Sequence, residues 1–225
     1  MSEETGSDLP ANNRHALRLV ARGQRKAALA TSLDGRPYAS LVTLAFDHDL
    51  SAILLLSRLS EHTRHLLADP KAALLLDGTE GLANPQTGPR VTLVGEAVED
   101  QDPRLKSRFL ALHPGAALYA GFADFGIWRL RPERAHFVGG FGRAVWFDAP
   151  LVPEAEVLAA AEAGLLAELA AAFGPDWRLV GVDCDGCDLA GAEEIRRVAF
   201  PRPVGDADAA KRVLFELSRG STHLG

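Results

Sequence analysis

Between Lys26 and Asp100 the apolar residues fall into short runs separated by turn residues, a spacing that suits strands better than helices. KAALATS and PYASLVTLAF flank Asp34-Gly35-Arg36, and an Asp-Gly pair between two such runs predicts a β-hairpin. DHDL turns the chain into SAILLLS, and KAALLLD and PRVTLVGEAVED read as two further strands across the Gly-, Pro- and Asn-rich loop from Gly78 to Pro89. Helical spacing interrupts this series only briefly. Asn13 to Arg22 carries Leu17, Leu19 and Val20 among Arg and His, a short amphipathic helix with Asn12 or Asn13 as the expected cap. Ser60 to Ala68 reads as a helix capped by Ser60 and ended by Asp69-Pro70, because the residue before a proline avoids the helical region. Pro103 to Leu112 follows Asp102 with proline in the first turn. Phe125 to Leu130 and Arg134 to Val138 are expected as the last strands of this part, ahead of a tight glycine-rich segment, GGFGRA, from Gly139.

The texture changes near Pro150. PEAEVLAAAEAGLLAELAAAF predicts a long helix, WRLVGVDCDGCDL a strand, turn and strand, EEIRRVAF a strand, and DADAAKRVLFELSRG a last helix with Asp206 or Asp208 near its cap. Strands first and helices later point to an α+β chain built on an antiparallel barrel rather than a doubly wound sheet. A domain boundary is expected near Ala149-Pro150, giving a 13–149 barrel domain and a small α+β domain over 150–225.

Composition narrows the function classes. At 225 residues the chain has room for one large domain, or a medium one plus a small one. Its net charge of -6, with basic residues interleaved among acids, argues against a nucleic-acid partner. MSEETGSDLPANN lacks the basic and apolar regions of a signal peptide, and no apolar run approaches the ~18 residues of a membrane span, so a cytoplasmic protein without a membrane partner is expected. Cys184 and Cys187 frame Asp-Gly in CDGC, which reads as a hairpin turn, since a lone pair cannot complete a zinc site. Trp128, Trp146 and Trp177 are expected as core or interface anchors.

Candidate chemistry concentrates in LSRLSEHTRHLLADP. A strand ending at Ser57 followed by a helix capped at Ser60 leaves the first helical amides, near His62 and Thr63, without partners. Such a terminus favours an anion, and Arg58, His62, Thr63 and Arg64 add donors, so a phosphate monoester is a sensible guest. The plainer alternative is that Ser60 only caps the helix, Glu61 complements its dipole, and Arg64 and His65 face solvent.

GRPYASLV, LLSRLSEHTRHLLADPKAALLL, PRVTLVGEA and GGFGRA, in that order, resemble the pyridoxamine 5'-phosphate oxidase-like flavin proteins, and most closely their heme-utilisation branch with a small C-terminal domain. The resemblance runs from about Asn13 over nearly the whole chain. It implies a split β-barrel that binds FMN at a homodimer interface. Carried over, it implies cofactor contacts from Ser40, Leu41 and Val42 beside the ring, from Ser57, Arg58, His62 and Thr63 around the phosphate, from Arg90 at the ring edge, and from Phe137 against the cofactor. The true oxidases carry an arginine where this chain has Ser40, a lysine near Ala45 and a histidine at Val145, so oxidation of vitamin B6 is not expected. The resemblance therefore implies a flavin-dependent oxidoreductase of unknown small-molecule substrate, with the flavin supplying the electron chemistry and no catalytic residue or metal ligand set identifiable. Its alternative is heme binding or heme degradation, for which an axial ligand would come from His48, His65, His113, His136 or His223.

Overall fold

The computed structural model of the chain describes residues 9–140, 142–153 and 155–220; Phe141 of the glycine-rich segment and His223 lie outside the described residues. Helix α1 (Leu9–Arg22) leads into β1 (Lys26–Leu33) and β2 (Arg36–Phe46), joined by the expected turn, in which Asp34 and Gly35 both take positive φ, 50° and 74°. β3 (Ala52–Ser57), α2 (Glu61–Ala68), β4 (Lys71–Asp77), β5 (Arg90–Glu99), α3 (Pro103–Leu112), β6 (Phe125–Val138) and β7 (Ala144–Asp148) follow. The strands run in the order β3-β2-β1-β4-β5-β6-β7, all antiparallel, and β3 also pairs with β6, which closes six of them into a barrel and leaves β7 as an extra strand. The fold class is the expected one. Alternation works as the sequence pattern requires: Ala27, Leu29, Leu44, Leu54, Leu74, Leu93 and Leu130 point into the barrel core, where they are almost wholly buried.

Three expectations are corrected. Asn12 and Asn13 lie inside α1 rather than capping it. The two strands expected at 125–130 and 134–138 are one, β6, whose first half pairs with β3 and whose second half pairs with β7. β5 accommodates Pro132 through a register shift at Val94-Gly95, where the backbones come so close that a Cβ on Gly95 would lie 1.9 Å from the Arg131 carbonyl oxygen. β7 itself was not anticipated, because its apolar residues directly follow the glycine-rich turn.

After β7 come α4 (Ala155–Leu169), β8 (Arg178–Asp183), β9 (Gly186–Ala190), β10 (Ile195–Ala199) and α5 (Ala207–Gly220), the three strands forming a separate sheet in the order β10-β9-β8. CDGC is the β8–β9 hairpin turn; both thiols are free and buried, and burial pushes each up to about 12, which makes them inert as nucleophiles at neutral pH. Asp206 accepts from the Ala209 amide at 2.7 Å and so caps α5. No helix among the described residues is long and apolar enough to cross a membrane.

A buried ionic network ties this second sheet to the barrel. Arg22, at the end of α1, donates to Asp185 (3.0 Å) and to the backbone carbonyls of Asp47 (3.1 Å) and His48 (2.7 Å), and lies 3.2 Å from Asp183. Arg108 of α3 donates to the Phe46 carbonyl at 2.6 Å and to Glu162 of α4, while Arg197 of β10 bonds Asp183 at 2.7 Å and Asp188 at 3.1 Å. Burial pushes the Asp183 carboxyl up, yet Arg197 and Arg22 hold it far below the usual carboxylate range. Asp183, Cys184 and Asp185 could converge on a metal, but Arg18, Arg22 and Arg197 already match both carboxylates.

Removing one member of such a network strands the others. Arg22→Ala should cost about 3–5 kcal/mol in denaturant unfolding, and a loss below about 1 kcal/mol would show that the network does not hold the two sheets together. Burial raises the Glu162 carboxyl, but Arg108 and His48 bring it down to about 2 from the ordinary 4.5. Its contribution to stability is therefore complete above pH 4.5 and is lost as the pH falls from 4.5 towards 2. Glu162→Gln should flatten the unfolding profile over that window.

Candidate functional site

The anion-binding stretch folds as a strand end and a helix start. Ser57, the last residue of β3, donates from Oγ to Asp124 at 2.6 Å and accepts from the Leu59 amide at 3.1 Å. Ser60 takes the extended backbone of a cap, φ -82° and ψ 150°, but its hydroxyl does not cap. It donates to the Ser57 carbonyl at 2.7 Å and lies 2.9 Å from Thr63 Oγ1. The amides of Glu61, His62 and Thr63 are consequently without partners among the described residues, as the sequence pattern anticipated.

The charged donors expected there behave differently. Arg58 is exposed and turns to Glu99 at 2.8 and 2.7 Å, and Arg64 turns to Glu61 at 2.5 Å. Asp124, which sequence reasoning missed, sets a carboxylate beside Ser57; its only signal was a lone acid in GFADFG between aromatic residues. Thr63 is fully buried. His62 is half-buried, with Nδ1 3.0 Å from the Ser40 hydroxyl, and burial together with neighbouring His65 lowers its pKa from 6.5, which keeps the imidazole neutral at pH 7.

These residues border a cleft of about 370 Å³ lined by Leu41, Val42, Leu55, Leu56, Tyr119 and Phe125, with Thr43, Ser57, Ser60 and His62 as its polar members. No Lys or Arg lines it among the described residues. The structure thus brings Ser40, Leu41, Val42, Ser57, His62 and Thr63 into one neighbourhood. Arg90 lies elsewhere, donating to the Gly88 carbonyl at 3.3 Å and pairing across strands with Asp77, and Phe137 is packed in the barrel core, 2% exposed. Tyr119 and Phe125, which build the far wall, carried no pattern that marked them.

Leu41, 76% exposed, joins this cleft to the outer face of the sheet. One cross-strand row runs Leu41, Ala28, Leu75, Thr92, His136 and Trp146 over six strands, and the next runs Ala39, Ala30, Ala73, Val94 and Arg134. Leu75 and Trp146 are 44% and 47% exposed, so the face is broad, shallow and largely apolar. Trp146 is stacked by His136, centroids 4.6 Å apart, and by the Arg134 guanidinium at 4.0 Å. Trp128, by contrast, is a core residue.

Among the other histidines weighed as metal ligands, His48 is buried against Glu162 at 3.0 Å, His65 is buried with Nδ1 3.0 Å from Thr31 Oγ1, and His113 uses Nε2 on the Leu44 carbonyl at 2.8 Å.

A model of the pyridoxamine 5'-phosphate oxidase family matches residues 14–139. The chloroplastic heme oxygenase HOZ of Arabidopsis thaliana is 37% identical over 134 residues, 57% of this chain and 40% of that protein, so the chain spans less than half of that relative's length. Among solved structures, a protein of unknown function from Agrobacterium tumefaciens is 25% identical with a TM-score of 0.70, covering 96% of this chain and 97% of its own. A heme binding protein from Mycobacterium smegmatis is 25% identical with a TM-score of 0.60, covering 93% and 97%.

The carboxylate beside Ser57 opposes an anion at the α2 amides. Asp124→Asn should therefore strengthen inorganic phosphate binding by about fivefold, roughly 1 kcal/mol, in a calorimetric titration. An unchanged or weaker affinity would show that Asp124 organises the terminus instead of opposing the anion.

Proposed function

The chain belongs to the pyridoxamine 5'-phosphate oxidase family, and on that premise we propose that it is a heme-binding protein serving heme degradation, active as a cytoplasmic homodimer with the tetrapyrrole between subunits. One observation carries the reading. Among the described residues the cleft presents an aliphatic and aromatic wall, one imidazole and no Lys or Arg, a set of groups suited to the apolar face of a porphyrin whose propionates reach solvent. The heme oxygenase and the heme binding protein among its relatives support it. The apolar outer face that meets the cleft at Leu41 supports the dimer, since a contiguous exposed apolar surface of this kind favours burial against a second copy. Two free, buried thiols are in keeping with a reducing compartment.

Within that arrangement the residues divide the work. Leu41, Val42, Leu55, Leu56, Tyr119 and Phe125 would exclude water from one side of the ring, and His62 would stand beside it. Heme would supply the redox-active iron; the chain would hold the ring and keep it dry.

A second reading is favoured by a different observation. The open amides of Glu61, His62 and Thr63 suit the phosphate of FMN, as in a flavin-dependent oxidoreductase acting on something other than vitamin B6. Ser40 and Ala45, standing where the true oxidases carry cations, support exclusion of that substrate.

Absorption spectra of the purified protein, with heme and with FMN added separately and followed by gel filtration, distinguish the two. A Soret band that survives filtration, without retained flavin, is expected; a retained two-band flavin spectrum without heme uptake would reverse the assignment. Leu41→Glu combined with Leu75→Glu should convert a dimer to a monomer in sedimentation and weaken heme retention with it. A variant that stays dimeric would place the interface elsewhere.

A further inference from the structure

We propose that His62 is the iron ligand of the bound tetrapyrrole and that Ser40 orients its ring; the assignment rests on the heme reading above.

His62 was expected to contact a phosphate, and the histidines weighed as iron ligands were others. On the heme reading, the geometry points to His62 instead. A ligand to heme iron needs one ring nitrogen held by the protein and the other open towards an apolar cavity. His48 is committed to Glu162 and lies in the ionic network, with Arg108 at 3.4 Å. His65 is buried, with Thr31 on one nitrogen and Glu61 3.7 Å from the other. His113 has spent Nε2 on a backbone carbonyl, and His15, on α1, faces Asp185 at 3.7 Å.

His62 meets the requirement. Its Nδ1 lies 3.0 Å from Ser40 Oγ, its Nε2 has no partner among the described residues, and it lines the cleft whose other walls are Leu41, Val42, Leu55, Leu56 and the rings of Tyr119 and Phe125. Coordination through Nε2 places the ring proton on Nδ1, where the Ser40 hydroxyl oxygen accepts it. Two backbone elements fix the pair: Ser40 sits in register opposite Leu29 on β2, and His62 sits in the first turn of α2. The positive end of that helix disfavours an imidazolium, which helps to keep the ligand form. Among the described histidines, His136 is the competitor. It belongs to the outer face proposed as the dimer interface, where it stacks on Trp146.

The test is a heme titration of the full chain read by absorption, with His62→Ala, His62→Gln, His136→Ala and Ser40→Ala beside the unaltered protein. The expected result is a ligated Soret spectrum for the unaltered protein and for His136→Ala. Both His62 variants should lose that spectrum, with affinity at least tenfold weaker, and added imidazole should restore it in His62→Ala. Ser40→Ala should keep the spectrum but raise the ferric/ferrous reduction potential, because the imidazole loses its hydrogen-bond acceptor and donates less strongly. An unaltered protein that binds no heme defeats the heme reading and this assignment together. An unaltered protein that binds heme, with both His62 variants indistinguishable from it, overturns the ligand assignment alone. His62→Gln guards against a folding artefact: circular dichroism matching the unaltered protein with lost ligation supports the proposal, and native ligation overturns it.

Discussion

The pairing of β3 with the first half of β6 is the constraint on which the rest depends. It closes the barrel, and its last pair sets Ser57 opposite Phe125. That one register position places Asp124 against the Ser57 hydroxyl, turns the chain into α2, and sets Phe125 across from Leu41 and Val42 as the wall of the cleft. If β6 slipped by one residue, Phe125 and Ile127 would exchange faces with their neighbours, and both core and cleft would lose their walls. Core packing and site geometry are therefore one constraint here.

Much of this was legible in the sequence for physical reasons. Period-two alternation in KAALATS and the Asp-Gly turn specify a hairpin with one face buried, and the serine- and histidine-rich stretch announces a helix start with open amides. What escaped notice depended on tertiary pairing. Arg131 and Pro132 look like a strand break, yet the shift at Gly95 absorbs the proline and lets β6 run on to pair with β7. Asp183, Asp185 and Glu162 look like surface charge until Arg22, Arg108 and Arg197 are seen to arrive from distant parts of the chain. Ser60 occupies the cap position but spends its hydroxyl on Ser57, an exchange that only the three-dimensional turn reveals.

The arginines explain why the candidate site reads as it does. A chain with nearly as many basic as acidic residues would be expected to offer cations to an anion, and Arg58 and Arg64 flank the open amides in sequence. Both are paired on the surface with Glu99 and Glu61, while the buried guanidiniums serve the junction between the two sheets. Among the described residues the cleft is left with hydroxyls, amides and one imidazole. Such a site binds through shape and apolar contact first, with polar groups setting orientation.

That division also bears on the second sheet. β8 packs against both α3 and α4, and through Arg22 and Arg108 its hairpin is bonded to the β2–β3 turn and so to the strand that ends at Ser57. The ionic network thus braces, from outside the barrel, the same β3 whose far end begins the cleft. Loosening it would be felt at Ser57 through a six-residue strand whose first five residues are buried, a rigid element with little freedom to absorb the change. The described part of the C-terminal segment therefore contributes to the site without lining it, by fixing where β3 starts and hence where it ends.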